Sequence, residues 1–275
     1  MARQSRKRSN SGIYHIMLMG IDKREIFIDD EDREIFCKYL ARAKEKSNFL
    51  INGYCLMNNH VHLLMEEGYE DIGTSIKRIT VGYVQWHNQK YDRAGHLFQN
   101  RYKSEVVEDD QYFLTVLRCI HQNPLKAGLV KDISEYRWCS FRHYLEGFQE
   151  DTAGHEKDRT DLTGIKQKLT TVELSLVNTT RAKGFFMNKR DFIEFMYTPG
   201  DESGQPLEYE PDIKINDEIL QRIIREICPQ PEQLLGLPKK ERDSIIKKIK
   251  ECSRASNRQL SRVLGINRGI IERAG

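Results

Sequence analysis

Gly12 to Met19 is a mostly apolar run of strand length. From Asp29 to Ser47 the pattern turns helical. Ile35, Phe36, Tyr39, Leu40 and Ala43 recur at helical spacing, with acidic residues at the start and lysines at the end, as the helix dipole favours. Phe49 to Leu56 and His60 to Glu66 read as two further strands. The Met57-Asn58-Asn59 connection is short and turn-forming, which predicts a hairpin. Ile72 to Lys90 is helical, with Ile76, Ile79, Tyr83 and Trp86 on one side, and Tyr102 to Val107 is a short strand. A second strong helix starts at Asp109 or Asp110 as N-cap and is stopped by Asn123-Pro124. The order β-α-β-β-α-β, then α, is the split βαβ arrangement of ferredoxin-like α+β folds: an antiparallel sheet with helices on one face.

The pattern weakens from Gln149 to Pro211. Asp151 to Asp161 is polar, Pro199 to Pro211 reads as a linker, and Gly164 to Thr170 and Phe185 to Tyr197 are candidate short helices. Helical periodicity returns from Asn216, first through Ile219, Ile223, Ile224 and Ile227, then through Ile245, Ile246 and Ile249 within Lys239 to Glu251. Asn257 to Leu264, a Gly265 turn and Asn267 to Ala274 close the chain. The expected organisation is an α+β domain over 1–148, an irregular or short-helical connector over 149–211 and an all-α tail over 212–275.

Composition narrows the class. The chain has 275 residues, 31% of them charged, and a mean hydropathy of −0.65. No apolar run approaches the roughly 20 residues of a membrane span. The six cysteines are scattered, without a CxxC pair, so reduced thiols in a cytoplasmic protein are expected. Net charge is only +3. Its distribution says more: Arg6, Lys7 and Arg8, Arg101 to Lys103, and Lys239 to Arg268 are locally basic and interleaved with tyrosines. That pattern favours phosphate contact.

The most specific residues are Asn58-Asn59-His60-Val61-His62-Leu63. Alternate residues of a strand share a face, so His60 and His62 project side by side, a good clamp for a divalent metal. On the following helix, Phe113, Val116, Leu117 and Ile120 form the buried side. Tyr112, Thr115, Cys119 and Gln122 lie on a more polar stripe, with Tyr112 in the first turn. A ferredoxin-like sheet brings that turn near the strand carrying the histidines. His15 lies on the first strand beside the hairpin.

Three segments together resemble the HUH single-tyrosine transposases, and most closely the REP-associated tyrosine transposases. They are Tyr54-Cys55-Leu56-Met57-Asn58-Asn59-His60-Val61-His62-Leu63-Leu64, Leu97-Phe98-Gln99-Asn100-Arg101-Tyr102-Lys103, and Tyr112 with Ile120-His121-Gln122-Asn123-Pro124-Leu125-Lys126-Ala127-Gly128-Leu129-Val130. The resemblance spans roughly Ser11 to Phe148. It implies a metal-dependent endonuclease and strand transferase acting on single-stranded DNA at hairpins. His60 and His62 would hold Mg²⁺ or Mn²⁺, and Tyr112 would form a 5′-phosphotyrosine link.

One departure stands out. Related proteins often place a glutamine one turn after the tyrosine as third ligand, and here that position is Val116. Thr115 or Glu66 is a candidate substitute, as is water. Arg101 and Lys103 are expected to alternate on a strand and meet DNA phosphates. Ser256 to Ile271 resembles the helix-turn-helix of bacterial replication initiators of the DnaA kind, which implies duplex binding with Asn267 and Arg268 at the groove. The expected partner is hairpin DNA, with duplex DNA at the tail, and the expected state is a monomer or homodimer. The alternative reading is a non-catalytic DNA-binding regulator that keeps the transposase fold.

Overall fold

The structure is a computed structural model that describes residues 6–148, 175–199, 206, 217–253, 255 and 257–274. The candidate helix at 164–170 and most of the acidic linker lie outside these residues. The chain divides into two compact units, 1–208 and 209–275.

The first unit is built on one antiparallel sheet. Its strands are β1 (Ile13–Met19), β2 (Leu50–Leu56), β3 (His60–Glu66) and β4 (Lys103–Val106), in the spatial order β2-β3-β1-β4. Helix α1 (Asp30–Ser47) links β1 to β2, and α2 (Ile72–Lys90) links β3 to β4. This is the ferredoxin-like order expected from the pattern. Asp29 caps α1 through a reciprocal box with Asp32, which satisfies backbone N–H groups that the first turn leaves open. The hairpin turn is tied from outside: Arg33 donates to the Asn58 side chain at 2.6 Å, and the Asn58 carbonyl accepts from Ile26 and Phe27.

Strand alternation sorts side chains between two layers. Tyr14, Ile16, Leu18, Val61, Leu63 and Met65 face α1 and α2, in a core with Phe27, Phe36 and Tyr83. Ile13, Leu64 and Cys55 point the other way, against α3 (Asp110–Lys126). Helices α1 and α2 thus share one face as expected, and α3 covers the other.

Asp109 is the N-cap of α3, its carboxylate accepting from the Tyr112 N–H at 2.7 Å. The helix does not stop at Asn123-Pro124 as the sequence suggested but runs on to Lys126. Proline removes only the one backbone donor that would serve Ile120. The Asn123 side chain supplies a donor to the neighbouring Cys119 carbonyl, at 2.9 Å. The helix ends at Gly128, whose φ of +67° suits the left-handed position, with Leu129 N–H returning to the Pro124 carbonyl.

The seating of α3 on β2 depends on Gly53, beside a register shift between Ile51 and Gly53. A Cβ there would stand 2.7 Å from Cδ1 of the fully buried Leu117. Gly53→Ala is expected to lower stability by about 1–3 kcal/mol, because a packed leucine between sheet and helix has nowhere to go. A denaturant titration of both proteins checks this.

Residues 175–199, read from sequence as part of an irregular connector, pack onto the first unit. Helix α4 (Phe141–Gly147) is followed by a helical turn at Thr180–Lys183 and by α5 (Lys189–Tyr197). Phe192 of α5 is buried between Phe141 and Tyr144 at ring separations of 5.7 and 5.0 Å. Gln122 on α3 donates to the Met196 and Thr198 carbonyls at 2.9 and 3.1 Å, so its amide serves the fold.

The second unit is helical: α6 (Asp217–Ile227), α7 (Lys239–Ser253), α8 (Asn257–Leu264) and α9 (Arg268–Arg273). Leu220, Ile224, Leu234, Ile246, Ile249, Leu260, Ile266 and Ile271 form its core. Gly265 turns between α8 and α9 at φ +67°. Among the described residues, no helix is long and apolar enough to cross a membrane.

Candidate functional site

The layer between the sheet and α3 is not uniformly apolar. The register pairs Met17 with His62, Met19 with His60 and His15 with Leu64, so all three histidines lie on the face that α3 covers. His15, His60 and His62 are 0%, 6% and 0% exposed. The His60 and His62 rings are edge-to-face at 5.0 Å, and His15 stacks on His62 at 5.2 Å. Three imidazoles in such a space need defined proton positions.

Their partners define them. The Asn59 side-chain oxygen can only accept, so His60 donates to it from Nδ1, at 2.7 Å. The α3 helix contributes the Asn123 side chain, also hydrogen-bonded to His60. His62 Nδ1 lies 3.0 Å from His15 Nε2. On the far side of His15, Nδ1 faces the Glu105 carboxylate at 3.8 Å, and among the described residues it has no hydrogen-bond partner. Among the described residues, His62 Nε2 is buried and has no hydrogen-bond partner.

This chain has a preferred direction. An anionic carboxylate favours N–H on His15 Nδ1, which leaves His15 Nε2 to accept from His62 Nδ1–H. His62 Nε2 then carries a lone pair. Either arrangement buries one N–H short of a hydrogen bond, at His15 Nδ1 or at His62 Nε2, but the reverse one would also turn a lone pair toward a carboxylate. The buried Nε2 of His62 is thereby left with a lone pair and, among the described residues, no donor.

Burial also keeps the His60 and His62 rings neutral. His60 is held down to about 4 by desolvation, against an opposing hydrogen bond to Asn123. His62 is lowered well below the ordinary value by desolvation first, then by the charges of His15, His60 and Lys126. His121, elsewhere in the same layer, is lowered to about 3 by burial and by His143. An unfolded histidine titrates near 6.5. Below that pH the unfolded chain binds more protons than the folded one, so stability falls as pH drops from about 6.5 towards 4. The expected slope is up to about 1.4 kcal/mol per pH unit for each histidine, read as a denaturation midpoint at stepped pH.

Tyr112 sits in the first turn of α3, half-buried, and its hydroxyl donates to Glu105. Burial, and then the Glu105 carboxylate, push the phenol well above its usual range. Tyr112 is separated from Asn123 by about 16 Å along the helix axis, at 1.5 Å per residue. It reaches the histidine pair only by way of Glu105 and His15. Cys119 lies between Tyr112 and Asn123 on this stripe, close enough to Tyr112 and to Cys55 to raise both electrostatically.

The other expected residues are placed as follows. Val116 is fully buried and offers no donor atom. Thr115 turns its hydroxyl back to the Gln111 carbonyl at 2.9 Å. Glu66 ends β3, four residues beyond His62, so roughly 13 Å along the strand. Among the described residues, no group of three His, Cys, Asp or Glu side chains is arranged to hold a metal ion. Arg101 precedes β4 and is exposed, so it does not alternate on the strand, whereas Lys103 opens β4. Arg6 stacks its guanidinium on Tyr102 at 3.7 Å and donates to the Tyr102 carbonyl. With Lys7, Arg8, Tyr14 and Asp71 it lines a cleft beside β4 and the start of α2. In the second unit, Asn267 caps α9 through Gly269 N–H at 2.8 Å, and Arg268 pairs with Glu272 at 2.8 Å.

Residues 8–123 match the family model described as IS200-like transposase. That segment, which carries the sheet and most of α3, is a transposase-like domain. The chain is also similar to a Haemophilus influenzae protein described as a REP-associated tyrosine transposase. That match is 24% identical over 170 residues, covering 56% of this chain and 95% of the relative. Among solved structures, a REP-associated tyrosine transposase bound to a REP hairpin matches at 18% identity and a TM-score of 0.48. It covers 62% of this chain and all of the other. A Deinococcus radiodurans protein described as a transposase matches at 14% identity and a TM-score of 0.32, covering 46% of this chain and 96% of that one.

Two residues of the transposase-domain site escaped the sequence reading. Asn123 reads locally as a helix stop, yet helical geometry puts it on the same stripe as Tyr112 and Cys119. Glu105 alternates with Lys103 on β4 and pairs with His15 across β1. Only the strand order makes that pairing visible.

Proposed function

We propose that the transposase domain is a metal-dependent endonuclease and strand transferase for single-stranded DNA beside a hairpin. The observation that supports it most directly is the buried, partnerless Nε2 of His62 beside His60, each ring with its Nδ1 held by a neighbour. Such Nδ1 contacts orient an imidazole ligand. His60 and His62, with the Asn123 amide at hand, would hold Mg²⁺ or Mn²⁺. Bound there, the ion would supply Lewis-acid polarisation of a scissile phosphate. Two imidazoles suit Mn²⁺ better than Mg²⁺.

Tyr112 is the nucleophile of this reading. Its oxygen would form a bond to phosphorus as the bond from phosphorus to the 3′-oxygen breaks, leaving a free 3′-hydroxyl and a 5′-phosphotyrosine. Reversal by another 3′-hydroxyl rejoins strands without an energy source, because the link keeps the phosphodiester energy. Arg6, Lys7, Arg8, Arg101 and Lys103 would contact the DNA backbone.

A second reading is favoured by one observation. The Tyr112 hydroxyl is engaged by Glu105, and His15 stands between that carboxylate and His62. A protein in which this arrangement persists on DNA would bind hairpins without cutting them, as a regulator. Incubation of labelled hairpin DNA with protein and Mn²⁺, followed by denaturing electrophoresis, separates the two. A covalent adduct supports the nuclease, and tight binding without cleavage on any hairpin supports the regulator.

The second unit is proposed to bind duplex DNA through α8 and α9. Asn267 is committed to its cap, which leaves Arg268, whose side chain is largely exposed, as the contact. Arg268→Ala is expected to weaken duplex binding and to flatten the salt dependence by about one unit of slope if the contact is a phosphate. Filter binding across a salt series reads both.

A further inference from the structure

We infer that His15 and Glu105 form a second tier behind the histidine pair. It fixes the proton of His62 and holds the Tyr112 hydroxyl with the same carboxylate. This inference rests on the reading of His60 and His62 as metal ligands. The geometry is a continuous line across three strands and one helix. His62 on β3 meets His15 on β1 at 3.0 Å, His15 faces Glu105 on β4 at 3.8 Å, and Glu105 accepts from Tyr112 on α3. Both His15 nitrogens are thereby assigned. Nδ1 points its proton at the carboxylate, and Nε2 accepts from His62, whose own Nε2 is left bare.

The consequence is a link between two parts of the site that are not in contact. Glu105 has two carboxylate oxygens and serves a metal-ligand support on one side and a hydroxyl on the other. A carboxylate placed so favours a single tautomer of His15, and that tautomer favours the metal-ready form of His62. His15 and Glu105 are positioning residues here: neither is placed to touch the ion. Neither was conspicuous in the sequence, because His15 is a lone histidine on a hydrophobic strand and Glu105 one of many surface-like glutamates.

The test uses the full chain without DNA and has two readouts. Nitrogen-15 NMR of the imidazole rings reports the His62 tautomer in metal-free protein. Mn²⁺ titration followed by electron paramagnetic resonance reports affinity. Wild-type His62 is expected to carry its proton on Nδ1. His15→Phe is expected to shift the tautomer toward Nε2–H and to weaken Mn²⁺ binding by roughly 10–100-fold, the range typical of outer-shell partners. Should His15→Phe fail to fold, Glu105→Ala on the edge strand carries the same test.

A folded variant with an unchanged tautomer, or with unchanged Mn²⁺ affinity, overturns the inference. His60→Ala and His62→Ala are the controls for the underlying reading. If they leave Mn²⁺ affinity unchanged, the metal site itself is wrong. If they abolish binding while His15→Phe does not alter it, only the second tier is wrong.

Discussion

His62→Ala is expected to eliminate measurable Mn²⁺ binding and to reduce hairpin cleavage by roughly a hundredfold or more. The floor comes from comparison with outer-shell changes, which already cost 10–100-fold in affinity or activity, whereas this one removes a ligand atom. The same substitution has a second signature. It deletes one of the buried histidines whose neutrality makes the fold acid-labile, so the loss of stability between about pH 6.5 and 4 should become shallower. At neutral pH the variant loses packing against His15 and His60 and should be somewhat less stable. A variant that binds Mn²⁺ like the parent would place the ion elsewhere. A variant with no Mn²⁺ binding but a parental acid profile would contradict the burial argument and leave the metal argument standing.

Tyr112→Phe is expected to remove the covalent DNA adduct entirely while hairpin binding stays within about twofold. The ring remains, so half-buried packing in the first turn of α3 is kept. What is lost is one hydroxyl and its bond to Glu105, about 0.5–1.5 kcal/mol of stability at most. Melting temperature and affinity therefore act as internal controls for a purely chemical effect. An adduct that survives in Tyr112→Phe assigns the link to another side chain, and peptide mapping would identify it. Strand cleavage that survives without an adduct points to water as nucleophile. Because the hydroxyl is bound to Glu105 and set apart from His62 by His15, cutting requires the tyrosine to leave that carboxylate when DNA enters.

Much of the first unit was legible in the chain itself. Apolar runs of strand length at β1, β2 and β3, helical spacing in α1, α2 and α3, and a short Asn-rich hairpin left little freedom in topology. The histidine pair was legible for the same reason, since residues i and i+2 of a strand must share a face. Helix ends were less so. Pro124 reads locally as a stop, but a proline near the end of a helix costs one hydrogen bond, and Asn123 and Gly128 complete the terminus around it. Within residues 175–199 a short helix was legible at Phe185 to Tyr197, but not the surface it packs on. Phe192 has meaning only against Phe141 and Tyr144, far away in the sequence.

By itself, the sequence determined the elements, their order, the paired histidines on one strand face and the tyrosine at the start of α3. Local periodicity and capping are short-range physics, and they are written in adjacent residues. Tertiary structure alone decided which groups complete the site. Antiparallel pairing of β1 with both β3 and β4 set His15 between His62 and Glu105, and the packing of α3 on Gly53 brought Asn123 to His60 and Tyr112 to Glu105. Those contacts join residues from four elements, and their energies depend on register and burial that no local pattern encodes.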